Sequence, residues 1–144
     1  MKLKLLFLTL FCSVIGWGQI YQHDFGTTAI TAKPYTVNPP VFDANLSNSS
    51  WTTSAAAFAG FVGNGGAPSQ SLSLSNSSGT PSMTLTFDVA AGFQMSVTQF
   101  NFWRVRSSTG AQNWSMTING IAVGSGTVPT TGAAIGLTNV VNPS

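Results

Sequence analysis

The centre of the chain reads Met83-Thr-Leu-Thr-Phe-Asp-Val89, and apolar and polar side chains alternate along it without interruption. Successive side chains of a β-strand point to opposite faces of the sheet. An uninterrupted period of two therefore predicts a half-buried strand here, with four apolar side chains on one face and a polar face on the other.

A similar pattern occurs on both sides of this strand, in segments separated by turn residues. These segments are 20–25, 71–75, 93–97, 100–105, 114–118 and 121–123. Segment 100–105 carries bulky side chains on both faces, which predicts a central strand buried on both sides. Asn119-Gly120 is a strong hairpin signal between the last two segments. About seven short strands with turns every eight to twelve residues predict an all-β fold, an antiparallel β-sandwich or jelly roll.

Other parts of the chain give weaker patterns. Segment 27–50 contains three prolines and many small polar residues, which predicts a long irregular connection with a short edge strand near 35–37. Segment 51–62 is interpreted as extended. After Gly132 the apolar residues are too sparse for a strand, so we expect the sandwich to lack a closing strand and the chain to be incomplete at its C-terminus. Large aromatic residues are expected to dominate the core: Phe87, Phe93, Phe100, Phe102, Trp103 and Trp114.

The N-terminus has the features of a cleavable signal peptide. Lys2 and Lys4 form a short basic region, an uncharged apolar run follows at 5–15, and Gly16 and Gly18 provide small residues for cleavage before position 19. The apolar run is shorter than the ~20 residues that a membrane-spanning helix needs. We therefore expect residues 1–18 to be a signal peptide and residues 19–144 to be one exported domain, secreted or held at the cell surface.

The charge and the cysteine content of the chain limit the classes of binding partner that we expect. The full chain has a formal net charge of +2, and both lysines of the leader contribute to it. Three basic residues (Lys33, Arg104, Arg106) and three acidic ones (Asp24, Asp43, Asp88) remain from residue 19 onward, so the mature domain is neutral. A neutral surface does not attract phosphate backbones or anionic lipids, which argues against nucleic acid and membrane surfaces as partners. Cys12 lies in the leader, so the mature domain has no disulfide or thiolate site.

Two motifs in the second half carry a family resemblance. Phe100-Asn-Phe-Trp-Arg-Val-Arg-Ser-Ser-Thr-Gly110 and Asn113-Trp-Ser-Met-Thr-Ile-Asn-Gly120 resemble the strand-turn-strand core of β-sandwich domains in secreted bacterial proteins. Segments 21–26 and 34–51 are similar to the same group, so the resemblance covers most of residues 20–128. Such domains often stand at the N-terminus of proteins exported by the type IX secretion system. The resemblance implies export and a larger parent protein with a C-terminal sorting domain, and it names no reaction.

The inventory of catalytic side chains is thin. From residue 19 onward the sequence contains one histidine, three aspartates and no glutamate or cysteine. His23 and Asp24 are adjacent on a predicted strand and so point to opposite faces, which prevents them from acting as a base and its orienting partner. Asp88 lies on the polar face of its strand, where a solvated side chain is the simpler interpretation. We therefore expect no enzyme activity and no obligate cofactor.

A few residues are candidates for ligand contact. Asp24 and Asp43 are the carboxylates to test for calcium, which the sequence leaves open because calcium also accepts backbone and amide oxygens. Arg104 and Arg106 lie two apart on one strand face, where they could clamp a carboxylate or stack on a sugar, although pairing with aspartates or with the ends of neighbouring loops is favoured. Trp51, in a polar loop context, is the one tryptophan for which the sequence leaves open an exposed ring that could stack on a sugar, although core packing is favoured there as well.

These observations favour a non-catalytic exported β-sandwich module, a structural or adhesive part of a larger protein. The alternative is a carbohydrate-binding module that uses Trp51. The expected partners are accordingly a glycan or another surface protein.

Overall fold

The computed structural model describes residues 18–60, 71–75 and 79–138. The signal peptide predicted for residues 1–18 lies almost wholly outside this part of the chain. The described residues form strands and turns, and none of them belongs to a helix that could span a membrane.

Eight strands are present in the described residues. They are β1 (Tyr21–Gln22), β2 (Val41–Phe42), β3 (Leu46–Thr53), β4 (Met83–Val89), β5 (Gln99–Arg104), β6 (Asn113–Ile118), β7 (Ile121–Thr127) and β8 (Ala133–Thr138). They pair as four two-stranded antiparallel sheets, β1–β2, β3–β4, β5–β8 and β6–β7. The predicted class, an all-β antiparallel sandwich-like fold, is confirmed, and its sheets are small.

The strongest sequence patterns fall on observed strands. Strand β4 coincides with the predicted segment 83–89. Its side chains alternate between half-buried and exposed up to the last residue, so one face of the strand is partly buried. Strands β6 and β7 form the expected hairpin around Asn119 and Gly120, whose φ angles are 48° and 80°. Positive φ at both central residues is what a type I′ turn requires, and Asn-Gly supplies it at little steric cost.

The expectation that no strand follows Gly132 is wrong. Strand β8 pairs with β5 over its whole length, from Gln99↔Thr138 to Arg104↔Ala133. The strand was not predicted because it contains small residues, which give little signal in a pattern based on large apolar side chains. Gly136 shows why one of them is small: a Cβ there would lie 2.5 Å from Oδ1 of Asn101, its pairing partner.

Strand β5 is not a central strand buried on both faces. Within the described residues it pairs with β8 alone, and Phe102 and Trp103 are half-buried rather than enclosed. Bulky side chains on both faces therefore did not bring full burial of either face.

Two alternating segments are not strands. Residues 71–75 and 93–97 have no strand structure, and Phe93 is 57 % exposed, so its expected place in the core is wrong. Among the described residues, Leu46, at 8 % exposure, and Phe58, at 3 %, are the buried hydrophobic side chains apart from proline. Alternation of apolar and polar residues is therefore not sufficient to make a strand.

The connection predicted over 27–50 is more regular than expected. It contains β2 and the first half of β3, and Tyr35 forms an isolated bridge with Trp51 through hydrogen bonds of 2.8 and 2.9 Å. Strand β1 is shorter than its pattern because Phe25 and Gly26 take φ angles of 58° and 67°, which an extended strand does not allow.

Candidate functional site

Aromatic side chains from β1 to β4 and from the segments between β1 and β2 collect around Tyr21 and Trp51 and form the aromatic cluster. Its members are Tyr21, His23, Phe25, Tyr35, Phe42, Trp51 and Phe87. Strand pairing explains the assembly, because β1 and β3 each contact a second strand and Tyr35 bridges to Trp51. Aromatic pairs at such distances contribute beyond their buried area, so this cluster holds the N-terminal half together.

Trp51 is not an exposed platform in a loop. It lies on β3, half-buried, on the same face as the buried Ser49 and Thr53. Its indole Nε1 donates to the Tyr21 hydroxyl at 2.7 Å, and the Phe25 ring meets it edge to face at 5.5 Å. The polar atom and part of the ring of Trp51 are therefore already engaged inside the domain.

His23 is held by both ring nitrogens. Nε2 lies 3.0 Å from the Val37 carbonyl oxygen, which can only accept, so Nε2 carries the proton. Nδ1 accepts from the backbone N–H of Phe25 at 3.0 Å, and the Phe25 ring stacks on the imidazole at 4.3 Å. Neutral imidazole satisfies both bonds, which a protonated ring could not. His23 is half-buried and Asp24 is exposed, which agrees with the expectation that the two side chains point to opposite sides of the chain.

Burial lowers the pKa of His23 below its ordinary value of 6.5, against the opposing effects of the Val37 hydrogen bond and the Asp24 charge. Between the lowered pKa and about 6.5 the unfolded chain binds more protons than the folded chain, so the free energy of unfolding decreases as pH falls. We expect this loss to begin below pH ~6.5 and to be absent above it, as measured by urea denaturation between about pH 5 and pH 8. His23→Gln is expected to remove the slope in this window. An unchanged slope in that variant would contradict the assignment.

The two carboxylates proposed for calcium lie at different ends of the β1–β2 pair. The Asp43 backbone N–H bonds to Ile20, four positions before Asp24, which corresponds to roughly 13 Å along an extended strand. Asp24 Oδ1 accepts from the Gly26 N–H at 3.1 Å, and Asp43 Oδ1 accepts from the Asn45 backbone and side chain at 2.8 and 3.1 Å. The described residues contain no group of three or more histidine and acidic side chains suited to a metal. Calcium binding at either aspartate stays a prediction.

Both arginines bind backbone carbonyls rather than an open cleft. Arg104 Nε donates to the Thr127 carbonyl at 3.0 Å. Arg106 Nε donates to Val128 at 2.8 Å, and its NH1 donates to Ser107 and Ser108 at 3.1 and 3.0 Å. The two side chains thus connect β5 to the segments on either side of β6 and β7. Of the three sequence alternatives for them, these contacts correspond to pairing with neighbouring loops.

The remaining charged groups are also bonded within the domain. Lys33 Nζ donates to the Thr53 carbonyl at 2.8 Å and to the Ala55 carbonyl. Asp88 Oδ2 accepts from Asn48 Nδ2 at 2.7 Å. None of the described charged side chains forms an ion pair with another, so each one is neutralised through dipoles of the backbone or of an amide.

An open depression of about 510 Å³ lies beside the aromatic cluster, and we call it the β3 groove. Its lining residues are Thr36, Asn38, Phe42, Leu46, Ser47, Asn48, Ser49 and Ser50. The register of β3 against β4 shifts between Ser47 and Ser50, and Asn48 takes a φ of 55° there. Because of this bulge, Ser47 and Asn48 are both exposed although they are neighbours in sequence.

Sequence reasoning missed the β3 groove. The signal available was the run Leu46-Ser-Asn-Ser-Ser50, which was interpreted as turn chemistry because it contains small polar residues. Only the pairing of β3 with β4 shows that the run is a bulged strand. Comparison with protein-family models, with curated proteins and with solved structures gave no match. The resemblance to type IX secretion substrates therefore stays a prediction.

Proposed function

We propose that this chain is a non-catalytic module of an exported protein, secreted or held at the cell surface, with a structural or adhesive role. One observation carries the proposal. The side chains on which acid-base or nucleophilic chemistry would depend form hydrogen bonds within the domain: His23, Lys33, Asp24, Asp43, Asp88, Arg104 and Arg106. A structural role accounts for these bonds without a substrate, and this supports the proposal.

His23 illustrates this support. A general base needs a ring nitrogen with a free lone pair that faces substrate, and the only unprotonated nitrogen of His23 already accepts from the Phe25 N–H. The lowered pKa follows from burial in the aromatic cluster, which is also what a structural histidine would have. The surface of the domain also carries uncharged polar side chains. Such side chains can form reversible hydrogen bonds with a glycan or with another surface protein, which suits the adhesive role.

The adhesive role is tested with the full chain, purified after export and coupled to fluorescent beads. We expect the beads to be retained on surfaces coated with polysaccharide or glycoprotein more than beads carrying albumin. We also expect no turnover of glycoside, ester or peptide substrates that depends on Asp88. Hydrolysis that is lost in Asp88→Asn while folding is retained would overturn the non-catalytic assignment, and retention equal to albumin would overturn the adhesive one.

Export is tested separately. The exported protein is expected to begin at Gln19 when its N-terminus is sequenced, because Gly16 and Gly18 precede that position with the small residues that signal peptidase prefers. Protein that stays in the producing cell with residues 1–18 still attached would contradict the proposed localisation.

A further inference from the structure

We infer that the β3 groove binds a neutral carbohydrate, an inference that rests on the adhesive role proposed above and names its ligand class. Trp51, the residue favoured by sequence, is engaged with Tyr21 and Phe25, whereas the groove beside it presents polar atoms that the domain does not use.

The first argument is the state of the lining side chains. In the described part of the chain, no hydrogen bond involves the side chains of Thr36, Asn38 or Ser47, and all three are exposed. Asn48 is exposed and uses its amide nitrogen on Asp88, and no hydrogen bond within the described residues involves its amide oxygen. The charged groups of this domain are bonded internally while these hydroxyls and amides are open, which is the reverse of a catalytic site.

The second argument is that the groove is fixed in shape. Its outer wall, Thr36 to Asn38, is held at one end by the Tyr35–Trp51 bridge and in the middle by the bond from His23 to the Val37 carbonyl. Pro39 is buried directly after it. The backbone that carries these side chains is thereby held, so ligand binding does not have to order it.

The floor and the opposite wall are fixed as well. Trp51 donates to the Tyr21 hydroxyl, and that hydroxyl lies 3.0 Å from Ser49 Oγ. The Asn48 amide is oriented by its 2.7 Å bond to Asp88 across the β3–β4 pair. Asn48 has a φ angle of 55°, a left-handed conformation that its surroundings must hold.

The third argument is chemical class. The lining combines hydroxyls and amides with one aromatic ring, Phe42, which meets Tyr21 edge to face at 5.8 Å. It contains no ionisable side chain. Hydroxyl and amide groups exchange hydrogen bonds with sugar hydroxyls, and an aromatic ring packs on the apolar face of a sugar. A charged ligand would find no opposite charge in the lining, so a neutral oligosaccharide fits better than an acidic glycan or a basic peptide.

The test uses the full exported chain on a printed array of neutral, sialylated and sulfated oligosaccharides that also carries basic and neutral peptides. We expect binding to neutral hexose or N-acetylhexosamine chains. Asn38→Ala and Ser47→Ala are each expected to weaken that binding about fivefold, as loss of one hydrogen bond would. Both residues are exposed and make no bond that folding would lose. Thr84→Ala removes an exposed hydroxyl from the neighbouring strand β4 and is expected to leave binding unchanged.

The outcomes separate the groove from the adhesive role. Neutral-glycan binding that is equal in Asn38→Ala, Ser47→Ala and the wild type would overturn the groove while leaving adhesion standing. A preference for charged oligosaccharides or for peptides, or binding to no oligosaccharide on the array, would also overturn the groove. Failure of the adhesive role itself appears independently, as loss of bead retention on every coated surface.

Discussion

Phe58→Ala is expected to lower the free energy of unfolding by about 3–5 kcal/mol, the range for removing a buried phenylalanine. Phe58 is only 3 % exposed, and its backbone N–H donates to the Thr31 carbonyl at 3.0 Å. With Leu46 it is one of the buried apolar side chains of a domain whose other large apolar residues are mostly half-buried. Urea denaturation followed by tryptophan fluorescence measures this loss.

Phe93→Ala is the matched control, since the same side-chain atoms are removed at a position 57 % exposed. Surface substitutions away from special features usually change stability by less than about 0.5 kcal/mol. The two variants also test the observed core against the core expected from the sequence. The alternating pattern places Phe93 in the core and gives no reason to expect Phe58 there. Equal losses in the two variants, or a larger loss in Phe93→Ala, would contradict the observed core.

The strands that could be predicted from the sequence are those with large apolar side chains along one face. Strand β4 and the β6–β7 hairpin were found because alternation and the Asn-Gly turn are local signals, set by residues next to one another. Strand β8 was missed because Gly136 and the alanines before it carry almost no hydrophobic signal, although their small size lets the backbone approach β5. Strand β3 was missed in its first half because Ser47 to Ser50 form a bulge that only its partner reveals.

The candidate site could be predicted less well than the strands. Composition correctly drew attention to the few charged residues, but it could not show that each one is bonded within the domain, because the partners are distant in sequence: Lys33 to Thr53, Asn48 to Asp88, Arg104 to Thr127. For Trp51 the polar sequence neighbours left an exposed position open, although packing in the core was favoured. Its environment is instead set by Tyr21 and Phe25, which strand pairing brings together with it.

Trp51→Phe is expected to lower the free energy of unfolding by about 2 kcal/mol, through the loss of one hydrogen bond and of part of a half-buried ring. The indole N–H donates to the Tyr21 hydroxyl at 2.7 Å, and that hydroxyl in turn contacts the buried Ser49. Phenylalanine keeps an aromatic ring against Phe25 but has no donor. The Tyr21 hydroxyl then loses a partner in a place that water reaches poorly, which adds to the cost. Thermal and urea unfolding of the variant measure the loss.

Trp114→Phe makes the same chemical change where the donor has no partner. Trp114 Nε1 is buried without a hydrogen bond in the described residues, and the indole lies over Gly126, its pairing partner on β7. Removing an unsatisfied buried donor returns part of its desolvation penalty and offsets the lost ring volume, so we expect a change of less than about 1 kcal/mol. Both variants shorten a tryptophan by the same atoms, and their difference therefore reports the Trp51–Tyr21 bond. A loss in Trp114→Phe as large as that in Trp51→Phe would mean that ring volume, not this bond, governs the stability of the aromatic cluster.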